Sequence, residues 1–384
     1  MTLPPPWKVK REAVRIWFQI ENYYLPIVER FSQLRYDSQF KKLTKLIDGR
    51  QKISKKIVIL FIYQPIGLAK SILVTCEFLH DQGYAVLLVS STPVDEHDLQ
   101  ILQQRTWKIL LRPNYGYDFG GYRDGVRVLK ELGIEPDMLL IMNDSAWIPL
   151  TDDSQMIKKM EDDSLFLTGP VFENVVKRDK HKEYFQSYLM LIKSKALKSS
   201  GFINYWRDYR ISSRKRIVLV RGEEGFSEAL FNDGFGGGAP STRTVLFDLI
   251  QKQSNVFLLK TIEYATYLDV ENLLAARNLV REYSDTGEWR TNALLHLNTM
   301  PKSTQPMGVI PYACIKLLGF SFLKKSSFPP EHDGMRWQFL RAVKNGDLPA
   351  PHPDILAEIM ASKMDPSLTT DPSIPTPVSA TKVP

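Results

Sequence analysis

Two kinds of hydrophobic spacing alternate between residues 53 and 149. Short apolar runs at Ile57–Tyr63, Ala85–Val89, Lys108–Leu111 and Met138–Met142 are rich in β-branched and aromatic residues. Runs of that length and composition predict strands buried on both faces. Between them, Leu68–Leu79, Asp95–Gln104 and a stretch reaching about Leu132 carry helical spacing, the last through Val126, Leu129 and Leu132. Gly83 stops the first helix, and Gly133 with Pro136 closes the third. The resulting βαβαβαβ order predicts an α/β domain with a doubly wound, mostly parallel sheet.

The flanks read differently. Ile16, Ile20, Tyr23, Ile27, Phe31 and Leu34 recur at threes and fours, which predicts a helical preamble over 11–47 with a break at Pro26. Its aromatics Trp17, Phe18 and Tyr24 and its basic Lys8, Lys10, Arg11 and Arg15 make a membrane-surface helix one option. Packing on the main domain is the favoured one, because most amphipathic helices face a core. Past Pro149 the pattern predicts a short helix at Ser154–Met160, a strand at Leu165–Thr168 and a polar loop at Asn174–Glu183. A strand at Ser187–Ile192 and helices at Ala196–Tyr209 and Phe226–Phe231 follow. The glycines of 234–238 lack a following Gly-Lys-Ser/Thr and read as a flexible loop rather than a phosphate loop. Gly308–Leu323 is apolar but too short to span a bilayer, so it is either a membrane contact or a buried helix. Beyond Lys363 the five prolines and many Ser and Thr predict a disordered tail. The expected division is a helical extension (1–50), a catalytic domain (51–260), a mostly helical region with a membrane-contact option at 308–325 (261–362), and the tail (363–384).

Charge and cysteine narrow the classes. The 384 residues carry a net charge of +7 with 43% hydrophobic and 24% charged residues, as in a soluble globular protein. The basic balance suits anionic substrates or acidic head groups. No RNP-like aromatic pattern, zinc-finger spacing or unbroken basic block accompanies it, so nucleic acid is not expected. Cys76 and Cys314 stand apart among apolar residues and read as buried free thiols, in keeping with a cytoplasmic protein. His296 reads as a core histidine in preference to a ligand.

The chemistry concentrates where the third and fourth strands end. Arg112 to Gly125 holds Asn114, Asp118 and Asp124 beside Gly116, Gly120 and Gly121, with Tyr115, Tyr117, Phe119 and Tyr122 interleaved. Glycines permit close backbone approach to a ligand, the aromatics can stack on a base or sugar, and Arg112 and Arg123 can pair with phosphate. Asn143-Asp144-Ser145 closes the fourth strand, where Asp144 could hold Mg²⁺ or Mn²⁺ on a diphosphate. Together these residues suggest a nucleotide-sugar site. A transfer reaction also needs a carboxylate base, for which Asp118, Asp124, Asp144, Glu223 and Glu224 are candidates.

Asn114-x-Gly116-x-Asp118-Phe119-Gly120-x-Tyr122-x-Asp124-Gly125 resembles the signature of the rhamnan synthesis protein F family. So do the Asn143-Asp144-Ser145 strand end, Gln186-Ser187-Tyr188-Leu189-Met190 and Glu223-x-Gly225-Phe226-Ser227, in that order. The resemblance covers roughly 57–230. It implies a bacterial glycosyltransferase with a GT-A-like sheet, a rhamnosyl or related donor such as a dTDP-rhamnose-like nucleotide sugar, and a lipid-linked or polymeric glycan acceptor. It also implies work on cell-wall polysaccharide or lipopolysaccharide at the cytoplasmic face of the membrane. On this reading Asn114, Gly116, Asp118, Gly120, Tyr122, Arg123, Asp124, Asn143 and Ser145 bind donor. Glu223 and Asp144 are catalytic, Asp144 also carrying the metal, and Gln186, Ser187 and Tyr188 are acceptor or structural residues. Asn-Asp-Ser stands in place of a full Asp-x-Asp. The alternative is a non-catalytic sugar- or partner-binding module of glycan assembly.

Overall fold

The computed structural model describes residues 6–177, 180–240, 242–300, 305–365 and 372. Strands β1 (Lys45–Asp48), β2 (Lys56–Ile62), β3 (Tyr84–Ser90), β4 (Lys108–Leu111) and β5 (Met138–Asn143) open the domain. The four predicted strands among them match to within one residue at each end. They are joined by β7 (Leu167–Thr168), β10 (Leu189–Lys193) and β11 (Gly237–Gly238). Two short sheets complete the set, one of β6 (Ala146–Trp147) with β12 (Leu323–Lys324), one of β8 (Phe172–Lys177) with β9 (Lys180–Phe185).

The main sheet runs β1-β4-β3-β2-β5-β10-β7-β11. Only β1 and β10 oppose the rest, so six of its eight strands share one direction. The expected α/β class, a doubly wound and mostly parallel sheet, is therefore present. Both faces are covered, which is why the central strands read as unbroken apolar runs. Alternate residues of β2 serve opposite cores: Val58, Leu60 and Ile62 face one cluster, Ile57, Ile59 and Phe61 the other. The chain winds from β2 through β3 to β4 on one side, then returns to place β5 on the other side of β2. That reversal opens a crevice beyond the carboxyl ends of β2 and β5, the usual place for a ligand in such sheets.

Several local expectations change. The first helix, Pro6–Leu43, continues through Pro26; a proline removes one hydrogen-bond donor without preventing the remaining turns from forming. The polar segment expected as a loop at 174–183 belongs to the β8–β9 hairpin, whose charged strands carry no apolar run to announce them. The glycines expected as a loop contribute β11 to the sheet edge. Gly308–Leu323 becomes two short helices, Pro306–Val309 and Pro311–Ala313, a π turn at Cys314–Leu318, and then β12. Val309, Ile310, Tyr312, Ile315, Phe320 and Phe322 are buried there, so the apolar character serves the core. The C-terminal helices Glu331–Lys344 and Pro353–Ala361 share a hydrophobic cluster with β2 and β5, through Met335, Phe339, Ile355 and Ile359. No helix among the described residues is long and apolar enough to cross a membrane. The expected tail lies, apart from 363–365 and 372, outside the described residues.

Candidate active site at the strand ends

The bend after β4 is built by two consecutive residues with positive φ, Gly116 (83°) and Tyr117 (53°). Gly116 takes the left-handed conformation without a Cβ penalty and starts the helix Tyr117–Glu131. That start puts Asp118 in the first turn, where its Oδ1 accepts from the Phe119 backbone N–H at 2.9 Å. Its Oδ2 accepts from Asn143 Nδ2 at 3.1 Å and from the Ser187 hydroxyl at 3.0 Å. The Ser187 N–H in turn donates to Glu223 Oε1 at 2.8 Å. Residues from four separate stretches thus meet: 118 on a helix, 143 at the end of β5, 187 just before β10, and 223 in the π turn Val220–Glu224.

Asp144 lies beside this group. Its Oδ2 accepts from the Tyr63 N–H at 2.9 Å and from Gln64 Nε2 at 2.6 Å. The Ser145 N–H donates to Asn143 Oδ1 at 3.1 Å, which sets the turn out of β5. Burial raises the pKa of Asp118, Asp144 and Glu223 above the ordinary carboxylate range, against the hydrogen bonds that hold each of them. Three carboxylates with that perturbation at a sheet's switch point make a functional site the leading reading.

A cavity of about 380 Å³ adjoins them, lined among others by Ser145, Glu173, Gln186, Tyr188, Gln305 and Lys324. Glu173 Oε1 accepts from Gln186 Nε2 at 2.8 Å and from Gln305 Nε2 at 2.9 Å. Tyr188 and Phe322 add aromatic wall, their ring centroids 5.0 Å apart. A cavity of this size with aromatic sides and a few placed polar groups suits a small polar ligand. Lys324, Gln305 and Glu173 did not emerge from sequence reasoning. Lys324 sits in an apolar segment remote in sequence, and only the β6–β12 pairing of Lys324 with Ala146 brings it here.

The sequence candidates divide. Asp118, Asn143, Asp144, Ser145, Gln186, Ser187, Tyr188 and Glu223 gather at the strand ends. Asp124 does not: its carboxylate is fully buried and takes the Arg112 guanidinium and the Tyr36 hydroxyl, each at 2.6 Å. Arg123 is turned to the N-terminal helix, where both Nη atoms meet Asp37 at 2.8 Å. It borders a larger, mostly apolar groove of about 730 Å³ that contains none of the three strand-end carboxylates. Tyr122 is buried and donates to the Ser187 carbonyl at 2.7 Å, bracing the site from behind. Gly120 lies where a Cβ would come 2.3 Å from the Tyr115 carbonyl, a packing role. These corrections share one cause: a helix at the bend turns half of the motif inward. Asn114 is exposed in the bend itself. His296 is buried against the Tyr267 hydroxyl at 3.4 Å, and both cysteines are buried free thiols.

The match to known families falls on this same assembly. The family model described as rhamnan synthesis protein F matches residues 86–265. The matched range contains all four segments that carried the resemblance and leaves out Lys324. The chain is also 35% identical over 232 residues to the uncharacterized protein y4gN of Sinorhizobium fredii (strain NBRC 101917 / NGR234), across 60% of each chain. A solved mannosyltransferase, PcManGT from Pyrobaculum calidifontis in complex with GDP-Man and Mn²⁺, overlaps 91% of this chain and 97% of its own. It does so at 11% identity and a TM-score of 0.32, too low to transfer any residue's role.

Proposed function

We propose that this protein is a glycosyltransferase that moves a sugar, rhamnose or a related deoxyhexose, from a nucleotide-sugar donor to a growing cell-surface polysaccharide or lipopolysaccharide chain. The observation that supports this reading best is the meeting of Asp118, Asp144 and Glu223 at the switch point, within the segment that matches the rhamnan synthesis protein F family model. Asp118 and Asn143 contact the donor, with Gln186, Ser187 and Tyr188 on the acceptor side. Glu223 takes the proton of the attacking acceptor hydroxyl. Burial suits it to that work, because a raised pKa makes it a stronger base than an exposed glutamate.

For a divalent ion, Asp144 offers one carboxylate. Among the described residues the one group of three close ligand atoms, Asp95, His97 and Asp98, does not include it. Mg²⁺ commonly takes one or two carboxylates with substrate phosphates and water, so Asp144 fits as the single protein ligand of an ion carried with the donor. Such an ion would supply positive charge to the departing diphosphate. We also place the protein in the cytoplasm, peripheral to the membrane's inner face. Tyr24, Ile27, Val28, Phe31 and Leu34 are exposed on the N-terminal helix beside exposed Arg30 and Arg35.

The test is turnover of nucleotide sugars by purified wild type, Asp144→Ala and Glu223→Gln, with and without Mn²⁺. Each variant is expected to stay folded and to lose about 10²-fold or more, the usual scale for an acid–base or charge-stabilising group. Glu223 must be ionised to act, so wild-type activity should fall on acidification through a pKa above 4.5, the ordinary glutamate value. Transfer by both variants at the wild-type rate would sink the proposal, and binding of a nucleotide sugar without any turnover would favour a non-catalytic module.

A further inference from the structure

We propose that Lys324 binds the diphosphate of the donor and stabilises it as it leaves. The inference rests on the glycosyl-transfer reading for the identity of the anion, but its geometry stands apart from it. Lys324 Nζ lies 3.5 Å from Ser145 Oγ and 3.4 Å from the centroid of the Tyr188 ring, on the wall of the 380 Å³ cavity. Among the described residues its hydrogen-bond partner is the Ser145 hydroxyl, not a carboxylate. Glu223 and Asp118 act on it only through their fields. A largely desolvated ammonium held by a hydroxyl and a π face lacks a full counter-charge, which is costly unless a ligand brings one.

The backbone behind it is held in place for that purpose. Arg336, fully buried, donates from Nη1 to the carbonyls of Lys324 at 3.1 Å, Lys325 at 2.7 Å and Ser326 at 3.4 Å. Its own charge is met by Asp333. β12 is thus pinned from the C-terminal helix on one side and by β6 on the other. Arg336 is a positioning residue, and Lys324 is the group that would touch the ligand. Burial pulls the Lys324 pKa down to about 7, so an arriving anion would also restore its charge. The other half of the cavity, where Gln186 and Gln305 hold Glu173, is suited to neutral sugar hydroxyls. In the reaction the anomeric C–O bond breaks with its electron pair passing to the diphosphate oxygen beside Lys324. The acceptor oxygen bonds to the anomeric carbon and gives its proton to Glu223.

The experiment is calorimetric titration of the full chain with inorganic pyrophosphate in EDTA, which removes any metal contribution. Wild type should bind. Lys324→Met should weaken binding at least tenfold while keeping a cooperative melt, and Lys324→Arg should recover most of the loss, which a purely structural role would not produce. If Lys324→Met does not fold, Lys324→Gln carries the same expectation. No binding by wild type, or equal binding by folded Lys324→Met or Lys324→Gln, overturns the inference. Lys324-dependent binding without turnover of any nucleotide sugar would support the anion site while removing the transfer reading. Turnover with pyrophosphate affinity unchanged by Lys324→Met would do the reverse.

Discussion

Asp118 and Asp124 are carboxylates of one polar stretch, and the fold gives them opposite work. Six residues at about 100° each put them on different faces of the same helix. Asp118 faces the strand ends, where it accepts from Asn143 and Ser187. Asp124 faces inward, where Arg112 and Tyr36 share one of its oxygens. Removing one partner of a buried ion pair strands the other charge, at a cost of about 3–5 kcal/mol. Asp124→Ala should therefore lower stability by that order in a urea titration. A change under about 1 kcal/mol would mean that the pair contributes little. Helical spacing was visible in the sequence only from Val126 on; that the helix begins at Tyr117 and turns Asp124 toward the core was not. That depended on Tyr36, 88 residues away in the chain.

At the scale of the element, the helix Tyr117–Glu131 lies close over β2 because two of its turns present glycine. A Cβ on Gly121 would come 2.1 Å from Phe61 Cδ2, and one on Gly125 2.7 Å from Ile59 Cγ2. Gly121, which looked suited to ligand approach, serves helix-to-sheet approach instead, and Gly222 lets the π turn lie against the helix, where a Cβ would come 2.4 Å from the Phe119 ring. Alanine at an ordinary helical site would gain about 1 kcal/mol over glycine. Here overpacking, typically about 1–3 kcal/mol, should outweigh it. Gly121→Ala is expected to melt below wild type; a higher melting temperature would show that the helix can move away from Phe61 at no cost. The strands beneath were legible because a strand covered on both faces needs no polar alternation. The β8–β9 hairpin was not, since its charged residues give neither an apolar run nor a turn signal strong enough to stand alone.

At the scale of the whole molecule, the N-terminal helix is anchored through its second half. Arg221 meets Glu29 at 2.7 Å, Arg123 meets Asp37, and Gln33 donates to the Tyr209 carbonyl at 3.0 Å. Phe31 (68% exposed) and Leu34 (57%) remain on its outer side, an apolar exposure that a monomer in water does not gain from. If this side meets lipid as proposed, Phe31→Glu with Leu34→Glu should abolish flotation with vesicles rich in anionic lipid and leave the melting temperature unchanged. Equal flotation would remove the membrane assignment. The C-terminal helices close the opposite side of the sheet, sharing its core through Ile355 and Ile359, and Arg336 on the first of them holds β12, which carries Lys324.

The sequence by itself determined the doubly wound sheet, the direction of the chain through β2 to β5, and the two polar segments at its strand ends. Those follow from local rules: the length of an apolar run, the period of a helix, and a glycine at a bend. The tertiary structure decided which members of each polar segment reach the crevice. It decided that Ser187 would link Asp118 to Glu223, and that Lys324 would stand beside Ser145. Neither relation leaves a local trace, because side chains brought together over 36 to 179 residues share no period or spacing. They are neighbours only because a sheet must bury both faces, and that requirement brings the distant C-terminal segments over the ends of β2 and β5.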